Sequence, residues 1–421
     1  MRVAFSHRCC TRSVFSSIGV LAFAVYLHPV HVQAIDMTLA WNPPTLNTVG
    51  EPLEDLAGYK VYHATRSRRY AYVFDVGDET TTTLSGLNDY SDHFFVVTAY
   101  DEEGHESPLS GELMWNSVCL LQPTEYDFDG DSISDIVGFF RHMGPNEGEW
   151  QIRRSRDGII DTISWGWSAT VPVPGDYDGD RTTDLAVYFP DEGLWYILQS
   201  SDGRLKDGGP ISWGWNSSVP VQGDYDGDHI TDAAVYTPED GLWYVLQSSD
   251  GGIMGGGPIA LGGNQALPVP GDYDGDCVTD IAVFSMSDSE WRIRRSSDGR
   301  VERVKWGWHG TVPAPGDFDG DHATDLSVYM PNGGLWYVLR SSDGRLMEDA
   351  PISWGWHEAA PVPGDFDGDG MTDTTVYGVR ERTWYALQSV NGRSLIVEHG
   401  QRGSIPVTPL YQVFRWYGFI P

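Results

Sequence analysis

The sequence predicts an all-β chain in two parts, a β-sandwich and then a β-propeller of six (alternatively seven) four-stranded blades. Three observations predict it. A nine-residue acidic pattern, D-x-D-G-D-x-x-x-D, occurs six times, 45 to 49 residues apart. Each interval holds four short apolar runs separated by turn residues, which is one propeller blade's length of chain. Helical periodicity is absent, and Gly (49) and Pro (25) punctuate the 421 residues.

The first 34 residues read as a secretory signal peptide. Arg2, Arg8 and Arg12 form a positive start, residues 14–27 are apolar, and Val32-Gln33-Ala34 supplies small residues for cleavage before Ile35. The apolar run is short for a membrane span, and no later segment could serve as one after signal cleavage. The expected location is therefore outside the cytoplasm: secreted, periplasmic or at the cell surface. A net charge of -33 argues against nucleic acid and anionic membranes as partners. The acidic loops hold 24 of the 60 Asp and Glu residues, so much of that charge belongs to them. Cleavage would leave Cys119 and Cys277, which carry no disulfide framework and read as ordinary small residues.

Residues 35–116 alternate apolar and polar side chains over 37–41, 58–62, 70–76, 80–84 and 93–100, the spacing of a small sandwich. Leu39-Ala40-Trp41-Asn42-Pro43-Pro44 resembles the second strand of a fibronectin type III domain, with its core tryptophan. Residues 57–62 resemble the third strand and 94–101 the sixth. His93 stands where such domains carry their corner tyrosine, and the mature chain would have a first strand that is short or missing.

Residues 117–421 form the repeat region. One unit runs from Val171-Pro172-Val173-Pro174-Gly175 through an acidic loop, two five-residue apolar strands and Ser200-Ser201-Asp202-Gly203 to Trp213-Gly214-Trp215. Its loop, strand and turn resemble the FG-GAP-like (VCBS-type) propeller repeats related to integrin α chains. That resemblance implies an innermost Val-Pro strand joined by a calcium loop to the second strand. Residues 405–409 start one more such strand with no acidic loop after it, as ring-closing chain or a degenerate seventh blade.

The loop residues themselves call for a hard cation. Carboxylates at positions 1, 3, 5 and 9, with a carbonyl at 7, can surround calcium, and without it they repel one another. The candidate ligands are Asp127, Asp129, Asp131 and Asp135; Asp176, Asp178, Asp180 and Asp184; Asp224, Asp226, Asp228 and Asp232; Asp272, Asp274, Asp276 and Asp280; Asp317, Asp319, Asp321 and Asp325; and Asp365, Asp367, Asp369 and Asp373. About six structural Ca2+ ions are expected. Position 6, where such loops favour glycine, is Gly370 in the last loop but Ser132, Arg181, His229, Cys277 and His322 in the others.

Trp150, Trp195, Trp243, Trp291, Trp336 and Trp384 recur in the third strands. Pairs follow at Trp165/Trp167, Trp213/Trp215, Trp306/Trp308 and Trp354/Trp356, while the third unit has Leu261-Gly262-Gly263 instead. Packing between blades is the expected role of both sets, with sugar stacking by the pairs as the alternative. No unique constellation of nucleophile, acid and base stands out, so no catalytic residues are expected. The expected function is a calcium-binding module for a protein or glycan ligand. A lectin is one alternative and an exported polysaccharide-lyase-like enzyme another.

Overall fold

The structure, a computed structural model, describes residues 20–24, 34–44, 55–64, 70–88, 93–111, 113–115, 126–141, 148–264 and 266–408. Most of the expected signal segment lies outside them, as does Cys119. The chain divides into two compact units, Met1–Leu121 and Gln122–Pro421.

In the first unit, β1 (Val20–Ala24), β2 (Ala34–Trp41) and β5 (Thr81–Asn88) form one sheet in the order β1-β2-β5. A second sheet has the order β4-β3-β6-β7, from β3 (Leu56–Ala64), β4 (Tyr72–Gly77), β6 (His93–Asp101) and β7 (Leu113–Trp115). Alternation sends Met37, Leu39 and Trp41 of β2 into one core with Tyr59 and Val61 of β3 and Phe95 and Val97 of β6. Trp41 meets Tyr59 edge-on at 5.4 Å. The sheet edge beside β2, expected to be short of a strand, is paired with β1, whose residues fall within the expected signal segment. His93, in the corner-tyrosine position, contacts the buried His63 ring, His93 Nδ1 to His63 Nε2 at 2.6 Å.

The second unit contains six four-stranded antiparallel sheets. Blade 2 is β11 (Val171–Pro172), β12 (Leu185–Phe189), β13 (Leu194–Leu198) and β14 (Ile211–Ser212) in sequence order. Blades 3 to 6 repeat it over Val219–Ala260, Ala266–Lys305, Val312–Ser353 and Ala359–Glu398. Blade 1 is built from both ends: β8 (Ile136–Arg141), β9 (Gly148–Arg153) and β10 (Ile160–Ser164) are completed by β31 (Ile405–Pro406). Ile405 pairs with Phe139 and Pro406 with Gly138, so the final Val-Pro-like segment closes the ring. The ring has six blades among the described residues.

Burial explains the strand composition. The second strand of each blade is buried on both faces, and Leu185, Ala186, Val187 and Tyr188 read as a continuous apolar run. The third strand alternates, with Trp195 and Ile197 inward. All six third-strand tryptophans are buried. In five, the indole Nε1 donates to the carbonyl of the first residue of the following pair or its equivalent: Trp150 to Trp165 (3.0 Å), Trp195 to Trp213 (2.7 Å), Trp243 to Leu261 (2.9 Å), Trp291 to Trp306 (2.9 Å) and Trp336 to Trp354 (2.8 Å).

Candidate metal centres

Five of the acidic loops join the first and second strands of a blade, the first leads into β8, and each is wound by its own aspartates. In blade 3, Asp224 Oδ1 accepts from Gly227 N (2.7 Å) and Oδ2 from His229 N (2.9 Å). Asp232, at position 9, accepts from Tyr225 N (2.9 Å) and Ser248 N (2.6 Å) and has no exposed surface. The same pattern holds in the other loops, for example Asp184 with Tyr177 N and Ser200 N, and Asp373 with Phe366 N and Ser389 N.

Position 6 is left-handed in all six loops, with φ of 66–70° at Ser132, Arg181, His229, Cys277 and His322 and 81° at Gly370. Five non-glycine residues thus hold the conformation glycine would adopt freely, at about 1–2 kcal/mol each. The missing glycines leave the loop geometry unchanged.

The carboxylates converge. Ligand atoms of three aspartates lie within 4.8 Å of one another in Asp127/Asp129/Asp131, Asp176/Asp178/Asp184, Asp224/Asp226/Asp232, Asp272/Asp274/Asp276 and Asp317/Asp319/Asp325. Positions 1 and 3 are common to all five, joined by 5 in the first and fourth loops and by 9 in the second, third and fifth. These clusters could hold metal ions.

The donor set passes a test of fit. Asp226, Asp274, Asp319 and Asp367, all at position 3, each keep Oδ1 buried with no hydrogen-bond partner, while neighbouring carboxylate oxygens accept backbone or serine donors. An orphaned anionic oxygen repeated in register is costly unless a cation faces it. Burial also pushes Asp135, Asp184, Asp232 and Asp325 up to about 7, and Asp280 and Asp373 up to about 6.

Sequence reasoning missed two features of these loops. The Ser-Ser-Asp-Gly segment, read as a turn, is a clasp on the loop. Its first serine gives N–H to the position-9 carboxylate and Oγ to position 5, as Ser248 does to Asp228 at 2.9 Å. Its second gives Oγ to position 3, as in Ser201 to Asp178 (2.5 Å) and Ser249 to Asp226 (2.6 Å). Serine 24 residues after the start of five of the six loops was the available signal.

The second missed feature is a ring of hydrogen bonds between loops. The position-8 N–H of each loop donates to the position-1 carbonyl of the preceding one: Thr183 to Asp127, Thr231 to Asp176, Thr279 to Asp224, Thr324 to Asp272 and Thr372 to Asp317, with Ser134 to Asp365 closing the circle, all at 2.5–2.7 Å. The close approach also explains the glycine before four of the loops, Gly175, Gly223, Gly271 and Gly316: a Cβ on Gly175 would lie 2.7 Å from Thr231 Oγ1.

The tryptophan pairs lie at blade junctions. Trp213 Nε1 donates to Tyr244 O (3.2 Å) and Trp354 Nε1 to Tyr385 O (2.8 Å), in the next blade. Gly214 and Gly355 separate the rings because the hydroxyls of Tyr188 and Tyr329 occupy the space of a Cβ, 2.4 Å away. Cys277 corrects one expectation. It is disulfide-bonded, to a partner outside the described residues, and is no ordinary small residue.

No protein-family model and no curated protein matches the sequence. Among solved structures, the chain is similar to an Agrocybe aegerita lectin described as recognising non-reducing terminal N-acetylglucosamine, at 18% identity over 65% of this chain and 79% of that one, TM-score 0.45. It is also similar to the Dos1 propeller (11%, 81% and 83%, TM-score 0.36) and to an inactive virginiamycin B lyase from Staphylococcus aureus (11%, 84% and 96%, TM-score 0.37). This likeness goes no further than the fold.

Proposed function

We propose that the protein is an exported, calcium-stabilised propeller of the FG-GAP-like kind whose rigid ring serves as a binding or adhesion module for a protein or glycan. The observation that carries the calcium reading is the orphaned position-3 oxygen, repeated in register among the clustered carboxylates. The aspartates at positions 1, 3, 5 and 9 would hold the ion. Calcium would neutralise each cluster and fix the loop between a blade's first two strands. The sheet orders β1-β2-β5 and β4-β3-β6-β7 support reading the first unit as a fibronectin III-like module.

Differential scanning calorimetry with and without a calcium chelator tests this reading. Calcium bound only by the folded ring stabilises it by mass action, so the ring's transition should fall on chelation. Equal melting in both conditions would reduce the loops to turns. The second reading, a lectin, is favoured by Trp215 and Trp308, which stay 41% and 39% exposed at their junctions. A glycan array with Trp215→Ala and Trp308→Ala as controls separates the two.

A further inference from the structure

One junction of the ring departs from the others in both of its partners. At four junctions the second tryptophan of a pair meets a third-strand tyrosine of the next blade edge-on: Trp167 with Tyr196 (5.1 Å), Trp215 with Tyr244 (4.8 Å), Trp308 with Tyr337 (4.6 Å) and Trp356 with Tyr385 (4.9 Å). Between blades 3 and 4 the same two positions are Gly263 and Arg292. The hydrogen bonds that hold this corner are retained. Tyr236 Oη reaches Gly263 O at 3.3 Å, as Tyr188 Oη reaches Trp215 O at 3.4 Å and Tyr329 Oη reaches Trp356 O at 2.7 Å. The frame that presents an indole is kept while the indole is gone. Gly263 takes φ of 136°, and a Cβ there would meet no atom within 4 Å, so the space beside it is open.

Arg292 is held rather than loose. Its Nε donates to Glu290 Oε2 at 2.7 Å, and Glu290 also faces Arg303 Nη1 at 3.3 Å. The Nη atoms of Arg292 make no hydrogen bond among the described residues. The junction between blades 6 and 1 also lacks the pair but is filled: Gln401 and Gln151 both donate to Glu149 Oε1, at 2.7 and 2.9 Å, and His399 Nε2 meets Gln151 O at 2.9 Å. Among the described residues, only the junction of blades 3 and 4 combines a lost ring with a pinned guanidinium.

We infer that this slot is a binding site for a flat aromatic ring carried by the ligand, stacked on the Arg292 guanidinium where Trp215, Trp308 and Trp356 lie in their own grooves. A guanidinium plane attracts an aromatic face, more so when partly desolvated. An anion is the poorer fit, because the carboxylates of Glu290 and Asp288 stand among the cations Arg292, Arg303 and Lys305 and would repel it. The inference rests on the binding-module reading and assigns that module one asymmetric contact on a repetitive ring.

The test is ligand-observed saturation-transfer NMR on the calcium-loaded full chain, with N-acetyl-tryptophanamide as probe and N-acetyl-leucinamide as control. Saturation should be strongest at the indole protons, absent from the leucine probe, and reduced at least threefold in both Arg292→Ala and Arg292→Lys, the latter keeping the charge but not the plane. Equal signal from both probes would overturn the site, as would no signal, or full signal in Arg292→Ala. Full signal in Arg292→Lys would overturn the stacking. If the slot fails while a glycan or protein array still finds a ligand, only this inference falls.

Discussion

Asp226→Asn is the substitution whose sign separates a metal loop from an acidic turn. Asp226 Oδ2 accepts Ser249 Oγ, a bond an amide oxygen can keep, whereas Oδ1 is buried with no partner. Its carboxylate lies within 4.8 Å of those of Asp224 and Asp232. At an effective dielectric of 20, like charges at that distance repel by about 3 kcal/mol per pair, less on the solvent side. In chelator, neutralising Asp226 should therefore stabilise the ring by about 1–3 kcal/mol. In saturating calcium the same change removes a charged ligand. A 10- to 100-fold loss of affinity there costs about 1–3 kcal/mol. Urea denaturation of wild type and variant, with and without calcium, reads both values. A shift of the same sign in both conditions would refute the reasoning.

Other consequences follow from the same geometry. Asp232→Ala leaves the N–H groups of Tyr225 and Ser248 without acceptors, at about 1–3 kcal/mol each, and a urea-midpoint loss below 1 kcal/mol in calcium would contradict the loop account. The circle of Thr and Ser N–H bonds between loops couples neighbouring sites; calcium titration should give a Hill coefficient above 1, and Asp317→Ala should weaken the adjoining loop as well as its own. Burial beside His93 holds His63 down at about 4, so the folded first unit binds fewer protons than the unfolded chain between pH 4 and 6.5 and loses about 2–3 kcal/mol as pH falls through that window. Amide exchange at β3 and β6 should show this loss, and His63→Phe should flatten it. Trp195→Ala should cost about 3–5 kcal/mol of ring stability by calorimetry, because the indole is wholly buried and bonds Trp213 O.

How much could be read from sequence followed the range of the physics involved. The six loops and their blades were legible because a D-x-D-G-D-x-x-x-D pattern and a Trp-bearing alternating strand are local signals, repeated until chance is excluded. Six blades were expected with seven as the alternative, since Ile405-Pro406 looks the same whether it starts a seventh blade or finishes the first. The serine clasp bridges 16 to 24 residues and resembles an ordinary Asp-Gly turn. The loop-to-loop bonds use backbone groups, which carry no sequence mark. At the junction of blades 3 and 4, loss of the tryptophans was visible, but pairing Gly263 with Arg292 needed the register between blades.

Calcium content tests the central claim most directly. Protein stripped with chelator, reloaded with calcium and dialysed should carry about six ions per chain by inductively coupled plasma mass spectrometry, one for each acidic loop. Zero or one ion per folded chain would contradict the account.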